Sequence, residues 1–557
     1  MVLRRCLRLI GPCAVGLALI AAPPAWAGRD QLTAGLSAFP ASLHPDIDPV
    51  TAKAYVNGFV QRTITAFGPD GKNTCLLCIE LPTLQNGLAR LEDRPGGGHG
   101  MAVTIKLRPD LKWNDGVPVT ARDLAFTWRV ARDPNAGFSN PHPWIRASAV
   151  DVVDDHTAVL HLDHPLVSFD QWDQILPEHI EGPIYAKATS PGDYINTTAY
   201  DRAPTTPGLY DGPYEVTGYE AGSRIVLEPN PFWPGAKPGF KRIVLTVIEN
   251  ASALQANLLS GDIDLTVPRN GLSPAQTLAM KAAHPDQFTY LFTPSIEYAH
   301  LDVQTANPAL ADLRVRQALL LAIDRKTIIA KLTSGLDVIA ATSVGPLEPG
   351  YDPSVPVVAY DPAAARALLQ AAGWTPGPDG IRRNAAGDKL SFPLTAAAGN
   401  AANDRLFLVL QSAWKAIGVE VSIKTEALRT FGGTTLKHRA FEGLAYYTWS
   451  NRLTESPRRT LGSDQIPTAA NNWGGANWAN YADPAMDADI AASETELDPV
   501  RNKAIWSAMQ RRYAANLPAI PLWFVTQPTV IPTWLKGYTP VGTGEMSSQW
   551  SEAWHPG

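Results

Sequence analysis

The chain has 557 residues, 47 Lys and Arg against 53 Asp and Glu, a formal net charge of −6 at pH 7, and 45% hydrophobic residues. That length predicts about three domain-sized units, or one multi-lobed body with an ample core. The mildly acidic balance, with no clustered run of Lys and Arg, argues against a nucleic-acid partner.

Arg4, Arg5 and Arg8 precede an apolar run from Leu9 to Ala22, Pro23 and Pro24 break it, and Ala25-Trp26-Ala27 supplies small residues at a cleavage site. This reads as a secretory signal peptide over residues 1–27, too short for a membrane span, with the mature chain delivered to the periplasm. Cys13 follows Pro12, which argues against a lipoprotein. Beyond the leader only Cys75 and Cys78 remain, in TCLLC. In an oxidising compartment they are expected to form a local disulfide. A redox-active or metal-binding pair would need a thioredoxin-like context or further ligands nearby, and neither is evident.

Strand and helix patterns then alternate along the chain. VTIKLR puts Val103, Ile105 and Leu107 on one strand face. Thr120 and Asp123 form a capping box ahead of ARDLAFTWRVA, a helix expected to end at Asp133-Pro134. His161, Asp163 and His164 in VLHLDHP suggest a metal site. On a strand, however, His161 and Asp163 share a face while His164 points away, so an exposed strand edge is the better reading. A hairpin is expected with strands at Tyr214–Tyr219 and Arg224–Glu228, then a helix from Ser252 and a short strand after Gly261. LRVRQALLLAIDRKTIIAKL is the strongest helical text. Val315, Ala318, Leu319, Ala322 and Ile323 keep one apolar face, and Asp324 caps the next short helix. Asp361-Pro362 and Asp498-Pro499 open two later helices, Gly373 closes the first of these, and Gly418 closes the helix before the alternating Val419, Val421 and Ile423. The fold class is α/β with mixed sheets in one body.

The stretch Tyr446–Pro457, YYTWSNRLTESP, combines ring surface with Asn451, Arg452 and Glu455. Aromatic walls carrying a few polar groups suit a ligand pocket better than a core strand or a free loop. Downstream, NNWGGANWANY supplies a second aromatic-amide cluster with Asn471, Asn472, Trp473, Trp478 and Tyr481.

Seven segments in order resemble the extracytoplasmic solute-binding proteins of family 5, which serve ABC importers for peptides, nickel complexes and related solutes. They are LRPDLKWNDGVPVTARDLAFTW, GPYEVTGYEAGSRIVLEPNPFW, LLSGDIDL, LRVRQALLLAIDRKTI, YDPAAARALLQAAGW, LQSAWKAIGVEV and LPAIPLW. The resemblance implies a two-lobed periplasmic binding protein fold with a hinge and an extra domain inserted in the first lobe. Mapped here, lobe I comprises 28–56, 207–292 and 522–557, the insert 57–206 and lobe II 293–521, with hinge crossings near 290–295 and 520–525. In peptide-binding relatives the segment around Trp449 carries an Asp that holds the peptide ammonium. Here Ser450, Asn451 and Arg452 follow Trp449, which argues against a free N-terminus and for a blocked, modified or carboxylate-bearing ligand, unless Glu455 substitutes.

The expected function is capture of a peptide or peptide-like solute in an interlobe cleft and delivery to ABC permease subunits at the inner membrane, by a monomer without catalysis or cofactor. The expected ligand contacts are Tyr447, Trp449, Asn451, Arg452, Glu455, Asn472 and Trp473, with no protein-bound metal. A metal chelate or another non-peptide small molecule is the alternative cargo, and ligand sensing the alternative role. A secreted hydrolase is the rival class, but neither GxSxG nor HExxH occurs.

Overall fold

The computed structural model describes residues 29–47, 50–94, 97–138, 143–269 and 271–557; the predicted leader lies outside the described residues. Three sheets organise the chain. The first has five strands in the order Leu265–Thr266, Gln31–Leu36, Arg242–Val247, Arg224–Pro229, Tyr214–Glu220. Its first three strands are parallel, and the last two form the antiparallel hairpin. Leu32, Ala34, Ile243 and Leu245 pack there against Tyr55 and Phe59 of the helix Thr51–Val60 and against Trp554 near the C-terminus. We call this body lobe I.

The second sheet is wholly antiparallel, in the order Ala89–Asp93, His99–Lys106, Thr157–Leu162, Ala147–Asp154. Val103, Ile105 and Leu107 are buried on one face with Trp113, Trp144 and Trp172, as their period-two spacing requires. The helix Ala121–Ala131 covers this core and starts at the Thr120–Asp123 capping box, where the Thr120 N–H donates to Asp123 Oδ2 at 2.8 Å. The carboxylate and hydroxyl satisfy N–H groups that the first turn would leave unpaired.

Lobe II is built on a six-stranded sheet, Val338–Ile339, Ala519–Pro532, Phe288–Val303, Leu444–Trp449, Ser391–Ala397, Glu420–Glu426. The amphipathic text at 313–332 becomes two helices, Leu313–Leu321 and Arg325–Leu332, divided at Asp324, whose side chain accepts from the Thr327 N–H at 3.0 Å. Val315, Ala318, Leu319 and Ile323 all enter the lobe II core. The helix Pro362–Ala371 begins at Asp361, and Gly373 follows it at φ +89°, a conformation that a residue with a Cβ rarely adopts. The helix expected from Ser252 runs Ala251–Ser260, because Asn250 supplies the cap by accepting from the Ala253 N–H at 2.8 Å.

Two long antiparallel strands, Phe288–Val303 and Ala519–Pro532, join the lobes. Ile520 and Leu522 lie in the lobe II core, whereas Ile531 lies in that of lobe I. The register breaks between Pro294 and Tyr298, opposite Thr526 and Phe524, where the Ser295 hydroxyl donates to the Val525 carbonyl at 2.7 Å. The boundary expected at residues 56/57 falls inside the helix Thr51–Val60, whose buried face belongs to lobe I. Leu176, Tyr194 and Tyr200, within 57–206, also pack into the lobe I core, so the inserted segment shares that core rather than standing apart.

His161 bonds Glu92 Oε2 at 2.8 Å through Nδ1 and Asp151 Oδ2 at 3.1 Å through Nε2, tying three strands of the antiparallel sheet. Partial burial disfavours its charge, but the two carboxylates outweigh that and raise its pKa. Asp163 pairs with Arg94 at 3.0 Å. Among the described residues no group of three or more His, Cys, Asp and Glu is placed to hold a metal ion.

Cys75 and Cys78 are disulfide-bonded, with Cα atoms 5.1 Å apart, beside the core of the antiparallel sheet. A mass measured without reductant is therefore expected to be two hydrogens below that of the reduced chain. Replacing both with Ser should cost about 2 kcal/mol, the loop-entropy value for so short a closure, and leave ligand affinity unchanged. Two free thiols in the unreduced protein, or a large loss of affinity at equal stability, would contradict the staple role.

Candidate functional site

Between the lobes lies a cavity of about 420 Å³. Its lobe I wall comes from segments that follow strand ends. The chain after Gln31–Leu36 supplies Asp46, Lys53 and Asn57, and the chain after Leu265–Thr266 supplies Arg269. Binding residues in α/β sheets gather at such carboxyl ends, where the chain leaves the sheet and is free to shape a crevice. Thr63–Phe67, Gln171–Gln174 and Thr543–Met546 complete that wall. Lobe II contributes one stretch, Ser450 to Leu453 with Glu455 and Arg459, directly after the strand Leu444–Trp449.

Arg452 reaches across the cavity. Its Nη2 donates to Asp173 Oδ2 at 2.6 Å, with side-chain exposures of 38% and 16%. The Asp173 charge raises the Arg452 pKa against the opposing effect of burial, so the guanidinium is held protonated. The side-chain amide of Gln171 also bonds Thr454 Oγ1, and the Val167 N–H donates to the Glu494 carbonyl at 2.8 Å. The structure is therefore closed, with lobe II seated on the 167–173 segment.

The ring-rich stretch divides its labour. Tyr446 is buried against Phe407, ring centroids 5.2 Å apart. Tyr447 donates to Asp302 Oδ2 at 2.6 Å and meets Trp478 edge-on at 5.1 Å. Trp449 packs edge-on against Trp478 at 5.7 Å and donates from Nε1 to Asn451 Oδ1 at 2.8 Å. Tyr447 and Trp449 thus sit behind the lining and brace the loop, while Asn451, Arg452 and Glu455 line the cavity. Glu455 folds onto its own turn, with its N–H donating to the Arg452 carbonyl at 3.0 Å. Asn472 and Trp473 are elsewhere. Both adopt positive φ after the short turn Ala469–Asn471, and Trp473 packs edge-on against His438 at 4.6 Å, outside the cavity lining.

The cavity also gathers charges that no motif announced. Lys53 donates to the carbonyls of His44 and Pro45, each at 2.9 Å, and to that of Ile47, pinning the loop that carries Asp46. Burial and the neighbouring Asp173 push Asp46 up to about 7, against Lys53 and Arg452. Glu545 likewise reaches about 7, chiefly through burial, with Arg452 and Arg269 opposing. Asp46, Lys53, Asp173, Arg269 and Glu545 come from four segments far apart in sequence. The available signal is weak: Asp46 and Arg269 follow Pro45 and Pro268 and Glu545 follows Gly544, while nothing local marks Lys53 or Asp173.

These features define a class, a two-lobed binding protein with a polar interlobe cleft. A profile of the bacterial extracellular solute-binding proteins, family 5, matches residues 99–457 through its middle region, more than half of the chain, and the chain belongs to that family. It is 24% identical over 547 residues to the nickel-binding periplasmic protein of Escherichia coli K12, covering 97% of each chain. It is 24% identical over 472 residues to the periplasmic oligopeptide-binding protein OppA of the same organism, covering 78% of this chain and 79% of that one. Among solved structures, the oligopeptide-binding protein of Thermus thermophilus in complex with a pentapeptide superposes with a TM-score of 0.79 at 25% identity, over 95% of this chain and 96% of that one.

The raised acids set a pH dependence. Asp46, Asp211 and Glu545 titrate at about 7, Asp337 at about 6 and Glu348 at about 8, against 3.8 to 4.5 for unperturbed groups. The folded chain thus binds protons that the unfolded chain has released, and stability from these groups grows as pH falls through that window. Buried His44, lowered well below 6.5, opposes this as one group against five. The melting temperature is expected to rise between about pH 8 and pH 5.5, with a shallower rise in Glu545→Gln. A profile that falls toward acid, or is identical in the variant, would contradict the assignment.

Proposed function

We propose that this protein captures a compact polar solute, peptide-like or bearing carboxylates, in the interlobe cleft and delivers it to ABC permease subunits at the inner membrane. The observation that carries this reading is the interlobe cavity of about 420 Å³ bridged by Arg452 and Asp173. That volume falls low in the range of about 300–1,000 Å³ for small-molecule pockets, which favours a short ligand over a long extended peptide. The relatives that bind oligopeptides or nickel support the role without fixing the cargo. The reading assigns capture without catalysis, by a monomer, in the periplasm after removal of residues 1–27. No described helix is long and apolar enough to cross a membrane. It also divides the chain into lobe I, insert and lobe II near residues 57, 207, 293 and 522; the separate cores of lobes I and II and the strand pair that links them support the two lobes, while the insert packs in part into the lobe I core.

Within this reading the ligand contacts are Asn451, Arg452 and Glu455, with Tyr447 and Trp449 behind them; Asn472 and Trp473 contribute only if the lobe II rim moves. A peptide ammonium would find poor partners here. Asp173 already faces Arg452, Glu455 Oε2 is turned back to the Arg452 N–H at 3.4 Å, and burial pushes Asp46 and Glu545 up to about 7. Leaving an ammonium so placed costs on the order of 2–5 kcal/mol. Calorimetric titration with di- to pentapeptides and their N-acetylated forms tests this. Acetylated peptides are expected to bind at least as well as free ones. Micromolar binding that vanishes on acetylation would overturn the reading of the ammonium site.

A further inference from the structure

Four bases and four acids line the cavity: Lys53, Arg269, Arg452 and Arg459 against Asp46, Asp173, Glu455 and Glu545. Two of the bases are committed. Arg452 is paired with Asp173, and Lys53 is tied to three backbone carbonyls. Arg269 and Arg459 differ, because neither guanidinium has a carboxylate within ion-pair distance among the described residues. They stand on opposite walls. Arg269 follows the strand Leu265–Thr266 of lobe I, and Arg459 lies in the helix Arg458–Leu461 of lobe II.

Arg459 is also held in place, and Arg269 sits on strained backbone. Arg269 adopts φ +71°, a conformation costing a non-glycine residue on the order of 1 kcal/mol or more, and its Nη2 lies against Gly544, 4.0 Å from where a Cβ there would stand. Backbone strain of this kind persists only where the surrounding structure compensates it, and it clusters at binding and catalytic sites. Arg459 lies over the Trp449 ring at 5.4 Å, and Trp449 is itself fixed by its bond to Asn451. An indole face orients a guanidinium without neutralising it.

Resting on the binding-protein reading above, we propose that the cargo carries at least two carboxylate groups, one gripped by Arg269 from lobe I and another by Arg459 from lobe II. A guanidinium fork matches a planar carboxylate bidentately, so a ligand with two such groups links the walls and favours the closed state. The formal charges of the lining cancel, yet Asp46 and Glu545 are each about half protonated at pH 7, leaving the cleft net positive within an acidic protein. That surplus grows as pH falls. Trp449 is then a positioning residue, acting through Arg459.

The test is calorimetric titration of the full-length mature protein with citrate, glutarate, EDTA and the acidic dipeptide Asp-Glu, beside the neutral controls glutaramide and Ala-Gln, at pH 6 and pH 8. At least one acid is expected to bind saturably, at least about tenfold tighter than any neutral control and tighter at pH 6 than at pH 8. Arg269→Gln and Arg459→Gln should each weaken it about tenfold with the melting temperature kept, and Arg269→Lys, which retains charge but not the fork, should fall between. Trp449→Leu should weaken the acid in the wild-type background more than in Arg459→Gln, as a residue acting through Arg459 requires. Neutral solutes binding as tightly as acids, or wild-type affinity for the acid in both Arg→Gln variants, would overturn the proposal and leave solute capture standing. Binding of no solute of either class would count against both.

Discussion

The ion pair between Arg452 and Asp173 is the contact on which the arrangement of the lobes turns. Among the described residues it is the one ion pair that joins lobe II to the opposite wall of the cavity, beside the hydrogen bonds of Gln171 and Val167. Its strength is limited by water. With Arg452 still 38% exposed, the pair falls nearer to surface ion pairs, worth up to about 1 kcal/mol, than to buried ones. A bias of that size changes an open-to-closed ratio roughly fivefold, whereas switching it from 1:99 to 99:1 takes about 5.5 kcal/mol. The latch therefore poises closure, and the cargo must supply most of the free energy that completes it.

The fold delivers these charges economically. Parallel strands in lobe I end at the cleft, and each exit carries one or two polar side chains into it, Asp46 and Lys53 after one strand and Arg269 after another. In lobe II the strand Leu444–Trp449 plays the same part for residues 450–459. Because the two long strands Phe288–Val303 and Ala519–Pro532 run through both bodies, a rotation at the register break near Pro294 moves one set of exits against the other without disturbing either core.

Much of the architecture was legible because it is local. The Thr120 capping box, the Asp361-Pro362 and Asp498-Pro499 helix starts and the apolar stripe from Val315 to Ile323 each depend on neighbours within a few residues, and each forms where the text puts it. The stretch Tyr446–Pro457 was legible as cleft material, but its rings were read as ligand-facing. On a strand that leads toward a cleft, alternate side chains face opposite sides, and Trp478, about 30 residues on, supplies a third ring that draws Tyr447 and Trp449 away from the cavity. Nothing within the stretch announces Trp478 as that partner. Arg452 carried a similar ambiguity. Alone it reads as an anion receptor, but Asp173, 279 positions away, takes its charge. Long-range electrostatics of this kind leaves no periodic trace, so the sequence marks the helices but not Arg269 or Glu545.

The central claim is that the Arg452–Asp173 pair biases the lobes toward closure. Pulsed dipolar spin resonance between labels at Val153→Cys on the antiparallel sheet and Leu428→Cys on lobe II, both exposed sites, measures it most directly. In ligand-free protein the ratio of short-distance to long-distance populations should fall by up to about fivefold on Asp173→Asn, by the same amount on Arg452→Gln, and no further when the two are combined. Distance distributions that do not change in either single variant, or that shift additively in the double, would contradict it.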